Sequence, residues 1–277
     1  DTDPNPPNAN FSHGTHVAGI VSAVTNNSIG IASAGNNKVK IMPIKATPDG
    51  GWILAGTTTS KKSGVKTQEG FGLEDIWIIK LDATGNQEWQ QTYGGVGQDY
   101  LKTIVPTTDG YLIGATSSSD AVKDANGKTE NSFGNVDYWI LKINSKGKIQ
   151  WQKTFGGVYA DHLTEILPNA EGYLVTGYSN SPDNGNKSQK QRGMSDYWLI
   201  QLNEEGNPLW QKVIGGDKED QLKSVVKTKD QGFLLLGNSD SGSSFDKTAN
   251  NQKETDFWLV KIDAEANILW QENLAFT

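Results

Sequence analysis

The sequence predicts an all-β fold: four tandem four-stranded antiparallel blades, in a β-propeller or an open propeller arc, preceded by a short segment with one helix. Two observations carry this. One pattern recurs four times: Asp, one residue, Trp, an apolar run, a turn and a second Trp. The first tryptophans are Trp77, Trp139, Trp198 and Trp258, spaced 62, 59 and 60 residues apart, and each is followed after 12 residues by Trp89, Trp151, Trp210 and Trp270. Regular self-similarity of this kind marks repeat architectures. The second observation is the turn chemistry between apolar runs, which fits hairpins and excludes a helical solenoid.

Each repeat resolves into four short strands, a to d. In the second repeat these are Leu101 to Thr107, Tyr111 to Ser117, Asp137 to Ile143 and Ile149 to Phe155. The a–b connection is tight, with Asp49-Gly50, Asp109-Gly110, Glu171-Gly172 and Gln231-Gly232 in corresponding places. Gly supplies a positive φ there without steric cost. The c–d turns carry Gly85, Gly147 and Gly206 at their left-handed position, and Ala266 takes that place in the fourth repeat. An Ala at positive φ is strained, so Ala266→Gly is expected to stabilise the fourth repeat.

Strand c is apolar on both faces, Tyr138 and Ile140 on one and Trp139, Leu141 and Ile143 on the other. A two-layer sandwich leaves one face polar, whereas a blade is covered on both sides by neighbours. Strand d is more polar, with Gln150, Gln152 and Lys153 around Trp151, as suits an outermost strand protecting its edge. Residue parity places Trp139 and Trp151 on one face of the hairpin, where aromatic pairs interact. The blades run about 38–95, 96–157, 158–216 and 217–277, with residues 1–37 as a separate segment. Each holds its own four strands, so no blade is shared between the termini to clasp a ring. An open arc would expose apolar faces on its end blades and self-associate through them.

Composition sets outer limits. The chain has 277 residues, 35% hydrophobic and 21% charged, which is the globular range. A net charge of -7 without a basic run longer than Lys61-Lys62 gives no nucleic-acid footprint. No stretch approaches the roughly 20 apolar residues of a membrane span. With no cysteine, disulfides and thiolate metal sites are excluded. The chain opens at Asp1 without Met or a signal-like segment, as expected of a processed chain or, the favoured reading, a piece of a longer one.

The repeats resemble bacterial secreted β-propeller repeats of the type DYWLIKLD..GN..WQKTYGG, over residues 38–274. The N-terminus differs. FSHGTHVAGIVSA (Phe11 to Ala23) and NNSIGIASAGNNKVKIMPIKA (Asn26 to Ala46) resemble the histidine-motif segment of subtilisin-like serine proteases. The resemblance implies that His13 descends from the general base of that family, which needs an Asp and a nucleophilic Ser as partners. The sequence has neither the D-T-G or D-S-G motif nor a G-T-S-M-A run, and a lone base performs no acyl transfer. A helix is expected from about Gly14 to Val24, with Val17, Ile20, Val21 and Val24 on one face. The strand-like VKIMPIKA runs directly into the first repeat as its strand a, so the chain reads as a fusion or rearranged fragment of two secreted modules.

Function is expected where the long b–c loops emerge together: Ser60 to Glu74, Ser118 to Val136, Asn180 to Ser195 and Ser239 to Thr255. Rich in Ser, Asn, Asp, Gly and Lys, they are either solvated, mobile loops or a polar binding face. Asp75, Asp137, Asp196 and Asp256 precede strand c, and Asp99, Asp161 and Asp220 precede strand a. These carboxylates either accept backbone N–H bonds that close the loops, or line a rim holding a cation or polar sugar. Asp124-Ala125-Asn126-Gly127 lacks the remaining ligands of a calcium loop, and His16 and His162 have no clustered partners. The expectation is a non-catalytic secreted or cell-surface protein that binds a protein or glycan without a cofactor. The alternative is a truncated or rearranged fragment of a subtilisin-like endopeptidase that carries only its histidine motif.

Overall fold

The computed structural model describes residues 39–42, 47 and 50–275; His13, His16 and the helix expected at Gly14 to Val24 lie outside them. Among the described residues, sixteen strands form four separate antiparallel sheets of four, each in sequence order. The first holds β1 (Val39–Met42), β2 (Trp52–Thr58), β3 (Asp75–Leu81) and β4 (Gln87–Tyr93). The second holds β5 (Asp99–Thr107), β6 (Gly110–Ser117), β7 (Asp137–Asn144) and β8 (Ile149–Phe155). β9 (Asp161–Asn169), β10 (Gly172–Ser179), β11 (Asp196–Leu202) and β12 (Pro208–Ile214) make the third. β13 (Asp220–Lys227), β14 (Phe233–Ser239), β15 (Asp256–Ile262) and β16 (Ile268–Ala275) make the fourth. The arrangement is all-β and propeller-like.

The sheets pack face to face in chain order. One core joins the first and second blades around Ile76, Ile78, Trp139 and Leu141; a second joins blades two and three around Tyr138, Ile140 and Trp198. A third joins blades three and four around Tyr197, Leu199 and Trp258. The remaining cluster, Leu54, Trp77, Ile79 and Leu81, belongs to blade one alone, so among the described residues no core links blade four back to blade one. Strands β7 and β11 are buried along their apolar runs on both faces, because each has a blade on either side. Tyr138 and Tyr197 tie neighbours together, their hydroxyls donating to the carbonyls of Trp198 (3.3 Å) and Trp258 (3.2 Å) in the next blade.

The two tryptophans of a repeat lie on opposite faces, not on one. Trp139 pairs with Thr154 across the β7–β8 ladder, and Trp151 pairs with Lys142. A one-residue register shift at Lys142/Ile143 inserts an odd residue beside the turn, which reverses the parity read from the sequence. The shift recurs in all four c–d hairpins. Trp139 therefore packs toward the preceding blade, while Trp151 reaches forward, its Nε1 donating to the carbonyl of Glu204 at 3.2 Å.

The c–d turns follow expectation: Gly85, Gly147, Gly206 and Ala266 all have positive φ, 87°, 77°, 79° and 61°. The a–b glycines differ. The residue aligned with Gly110 and Gly172 is Gly51 rather than Gly50, and Gly110 and Gly232 have no positive φ. What all four share is close approach: a Cβ on Gly51, Gly110, Gly172 or Gly232 would collide with the carbonyl oxygen ending strand c.

The structure also changes the expectation at Ala266. Its methyl is fully buried in the core between blades three and four. Relief of backbone strain is worth about 1 kcal/mol, but losing a buried methyl costs about 0.8 kcal/mol and Gly adds unfolded-state entropy. Ala266→Gly should therefore move stability by less than about 1 kcal/mol. Gly147→Ala should cost more than that, because the new Cβ would meet Gln91 at 2.9 Å and the Trp89 ring at 3.0 Å at a positive φ. Urea unfolding midpoints of the two variants check the order; a greater loss for Ala266→Gly would contradict it.

Candidate functional site

All four b–c loops emerge at one end of the array, and a repeated clamp holds each against its own strand d. The residue after the second tryptophan is always Gln. Gln90, Gln152, Gln211 and Gln271 accept the indole N–H of Trp77, Trp139, Trp198 and Trp258 at 3.1, 2.9, 3.3 and 3.0 Å. The same oxygens accept loop amides from Thr67, Thr129, Ser188 and Thr248. Their Nε2 atoms donate to the loop carbonyls of Val65, Gly127, Asn186 and Asp246. These glutamines do not guard an edge, as the sequence reading had Gln152 doing; they join core tryptophan to loop.

A buried lysine completes each clamp: Lys66, Lys128, Lys187 and Lys247. Lys128 Nζ donates to the Ser119 carbonyl (2.7 Å) and Ser132 Oγ (3.0 Å), Lys187 to the Ser181 carbonyl (2.5 Å), and Lys247 to the Ser241 (3.0 Å) and Ala249 (2.9 Å) carbonyls. Burial depresses the pKa of all four, and neighbouring aspartates push it back up. Sequence reasoning missed these lysines, although their spacing of 62, 59 and 60 residues repeats that of the tryptophans.

Six of the seven aspartates come together in pairs beneath the loops, one from strand c and one from the next strand a: Asp75 with Asp99, Asp137 with Asp161, Asp196 with Asp220. Asp256 begins strand c of blade four. All are buried. In the strand-c series Oδ2 accepts the backbone N–H four residues earlier: Phe71 (2.9 Å), Phe133 (2.6 Å), Arg192 (2.7 Å) and Gln252 (2.7 Å). In the strand-a series Oδ2 accepts Gly95 (2.8 Å), Gly157 (2.8 Å) and Gly216 (2.6 Å), and also the hydroxyls of Ser119, Ser181 and Ser241. The first atoms these carboxylates hold are thus backbone donors that close the loops. Oδ1 of the strand-c series packs against Gly94, Gly156 and Gly215, where any Cβ would collide with Asp75, Asp137 or Asp196. Desolvation raises Asp75 and Asp137 to about 6 and Asp196 to about 7, against the lowering effect of their backbone hydrogen bonds; the paired aspartate adds to the rise.

Above this base the loop end presents apolar side chains to solvent. Leu73, Phe133 and Met194 come from b–c loops, Val96, Val158 and Tyr159 from d–a connections, and Phe245 from the last long loop; all are exposed. A hollow of about 540 Å³ lies among Asn135, Tyr159, Ala160, His162, Asn180 and Met194. His162 stacks on Tyr178 at 4.8 Å, and burial, then Lys102 and Lys223, depress its pKa. A neighbouring hollow of about 570 Å³ includes Glu130, Phe133, Lys153 and Asn186. A further concavity, about 660 Å³, is at the opposite, tight-turn end among Asp109, Lys142, Trp151, Tyr173 and Glu204. Among the described residues no three metal-ligating carboxylates or imidazoles cluster, and no helix is long and apolar enough to cross a membrane.

The Subtilase family model matches residues 1–69, about a quarter of the chain, and so runs past the boundary expected at residue 37 through β1 and β2 into the first long loop. Thermitase of Thermoactinomyces vulgaris is 37% identical over 91 residues, 33% of this chain and 31% of that protein. The regulatory protein FlaEY of Caulobacter vibrioides is 24% identical over 203 residues, 70% of this chain and 21% of that protein. The chain thus spans between a fifth and a third of the length of these curated relatives. A Bacteroides caccae protein of unknown function aligns over 88% of this chain and 84% of its own, with TM-score 0.34 and 16% identity. Synechocystis apocarotenoid oxygenase aligns over 86% of this chain and 49% of its own, with TM-score 0.42 and 11% identity. Superpositions at those scores decide nothing about fold or function.

Proposed function

We propose that this chain is a non-catalytic binding scaffold, secreted or displayed at the cell surface, that takes a protein partner on its loop end. The observation that supports it is the set of exposed apolar side chains, Leu73, Phe133, Met194 and Phe245 on the clamped b–c loops and Val96 and Tyr159 on the d–a connections beside them. Exposed apolar groups at one end of a rigid frame favour a protein surface, and loops fixed before binding lose little entropy on binding. The aspartates serve as positioning residues that set loop shape from below. In a test, the immobilised chain is read against arrays of extracellular proteins and of glycans, beside a Tyr159→Ser/Met194→Ser variant. Protein binding lost in the variant supports the reading; glycan binding, or no binding at all, overturns it.

The second reading, a fragment of a subtilisin-like endopeptidase, is favoured by the match over residues 1–69. Without the family's Asp and Ser motifs in this sequence, His13 has no partners for acyl transfer. A fluorophosphonate probe should label no serine, and His13→Ala should alter nothing. Labelling that the substitution abolishes would establish the protease reading instead.

A further inference from the structure

We propose that the cleft at the tight-turn end between blades two and three binds an arginine side chain presented by a peptide partner. The inference does not rest on the loop-end reading, since the two sites lie at opposite ends of the array. The cleft, about 660 Å³, has an aromatic wall of Trp151 and Tyr173 and an acidic rim of Asp109, Glu204 and Glu205, with Lys142 beside them. Small-ligand pockets span roughly 300–1,000 Å³. Trp151 is half-buried and fixed to the turn that carries both glutamates. Its Nε1 donates to the Glu204 carbonyl at 3.2 Å, and its ring packs so closely on Gly206 that a Cβ there would meet it at 2.7 Å.

The charges in the cleft do not cancel. Lys142 is buried and donates to Asp109 Oδ1, Thr107 Oγ1 (2.8 Å) and Gln150 Oε1 (3.4 Å), while Asp109 Oδ2 accepts Gln150 Nε2 at 2.9 Å. Those two charges neutralise each other. Glu204 and Glu205 are exposed, and among the described residues neither carboxylate has a hydrogen-bond or ion-pair partner. Tyr173 is 7% exposed, Glu204 and Asp109 both act on its phenol, and its hydroxyl has no hydrogen-bond partner among the described residues. Buried polar groups ordinarily have such a partner. The group that completes this set is a cation with several donors and a flat face. A guanidinium stacks on an indole, and its fork of N–H groups suits carboxylates and a phenol oxygen, whereas an ammonium is a point charge. The repeat by itself does not require this chemistry. Trp89 donates to the Ser145 carbonyl at 2.9 Å in the same way, yet Ser145 and Lys146 stand there in place of Glu204 and Glu205, and Ala264 and Glu265 stand at the last gap.

NMR titration of the full chain with an end-capped Gly-Gly-Arg-Gly-Gly peptide tests this, read at the Trp151 indole N–H, whose signal Trp151→Phe identifies. The same peptide with citrulline for arginine keeps the shape and removes the charge, and a neutral glucose tetramer stands for a glycan. The expected result is a saturable shift with the arginine peptide. Citrulline, or Glu204→Gln/Glu205→Gln, should weaken it at least about tenfold, the loss that follows from removing charged hydrogen-bond partners. Tyr173→Phe keeps the ring and should weaken it about threefold, and it carries the test if the double variant does not fold. Tyr159→Ser/Met194→Ser at the loop end should leave it unchanged. The absence of a shift with the arginine peptide overturns the proposal. So do a citrulline peptide that binds as well, binding of the glucose tetramer instead, and arginine binding indifferent to the cleft variants.

Discussion

Lys128→Met should destabilise the protein by about 3–5 kcal/mol at pH 8 and by clearly less at pH 5. Lys128 is fully buried, and its ammonium holds the second b–c loop through the Ser119 carbonyl and Ser132 Oγ. Burial lowers its pKa, and Asp99 and Asp137 are the carboxylates that act on it most strongly in the opposite direction. Methionine fills the same volume but takes the lysine donor from the Ser119 carbonyl and the Ser132 hydroxyl oxygen and leaves two buried carboxyls without their cation. Losing one partner of a buried charge set costs more than the set contributes, because the other charges stay desolvated. At pH 5 Asp137, held near 6, is already protonated, and part of that cost disappears. Asp137→Asn in the Lys128→Met background should restore part of the stability at pH 8 for the same reason. Amide exchange in residues 118–136 should rise with the first substitution and fall with the second. A loss that is equal at both pH values would show that the lysine acts by packing alone.

The blades were legible because their signal is local. Apolar runs of period two and tryptophans at fixed spacing survive in one dimension, and glycine marks the c–d turns. Face parity was not legible, because a single bulged residue at each c–d hairpin reverses it and no residue type announces that bulge. The clamp was half-visible: Gln152 was seen as a polar residue on strand d, yet its role depends on a loop that folds back 25 residues away to Gly127. The lysines carried a periodic signal hidden by a prior, since a lysine in a Ser- and Asn-rich loop reads as solvated. The aspartates were read as converging at one end, and they do converge there. Whether they face water or backbone is a matter of packing between blades, which only the three-dimensional arrangement decides.

Stability should fall as pH rises from about 4 to about 7, the reverse of the usual acid denaturation. Burial raises Asp75 and Asp137 to about 6 and Asp196 to about 7, above the ordinary carboxylate value near 3.9. Below pH 4 these groups are protonated in the folded and unfolded chain alike, and their stabilising share is fully present. Between 4 and 7 the unfolded chain releases protons that the folded chain keeps, so each rise in pH favours unfolding; above about 7 the effect levels off. The groups that face them are Asp99 and Lys66 at Asp75, Asp161 and Lys128 at Asp137, and Asp220 and Lys187 at Asp196; the aspartate of each set adds to the rise, and the lysine tempers it without reversing it. Surface turns act oppositely at lower pH. Asp82, Asp109 and Asp230 are held down to about 2 by hydrogen bonds from Asn86, Lys142 and Thr228 respectively, so their contribution disappears as pH falls from 4 toward 2. The optimum should lie at about pH 4. Asp196→Asn tests the carboxyl raised furthest of these three, because an amide oxygen still accepts the Arg192 and Gly193 backbone N–H groups without bearing charge. It should be near neutral at pH 4 and stabilising by on the order of 2 kcal/mol at pH 8, after allowance for solvent screening. Urea midpoints for both proteins across that range decide the matter. A wild-type midpoint higher at pH 8 than at pH 5 would mean the carboxyls are ionised in the folded protein and stabilised by Lys66, Lys128 and Lys187, leaving no proton uptake on folding.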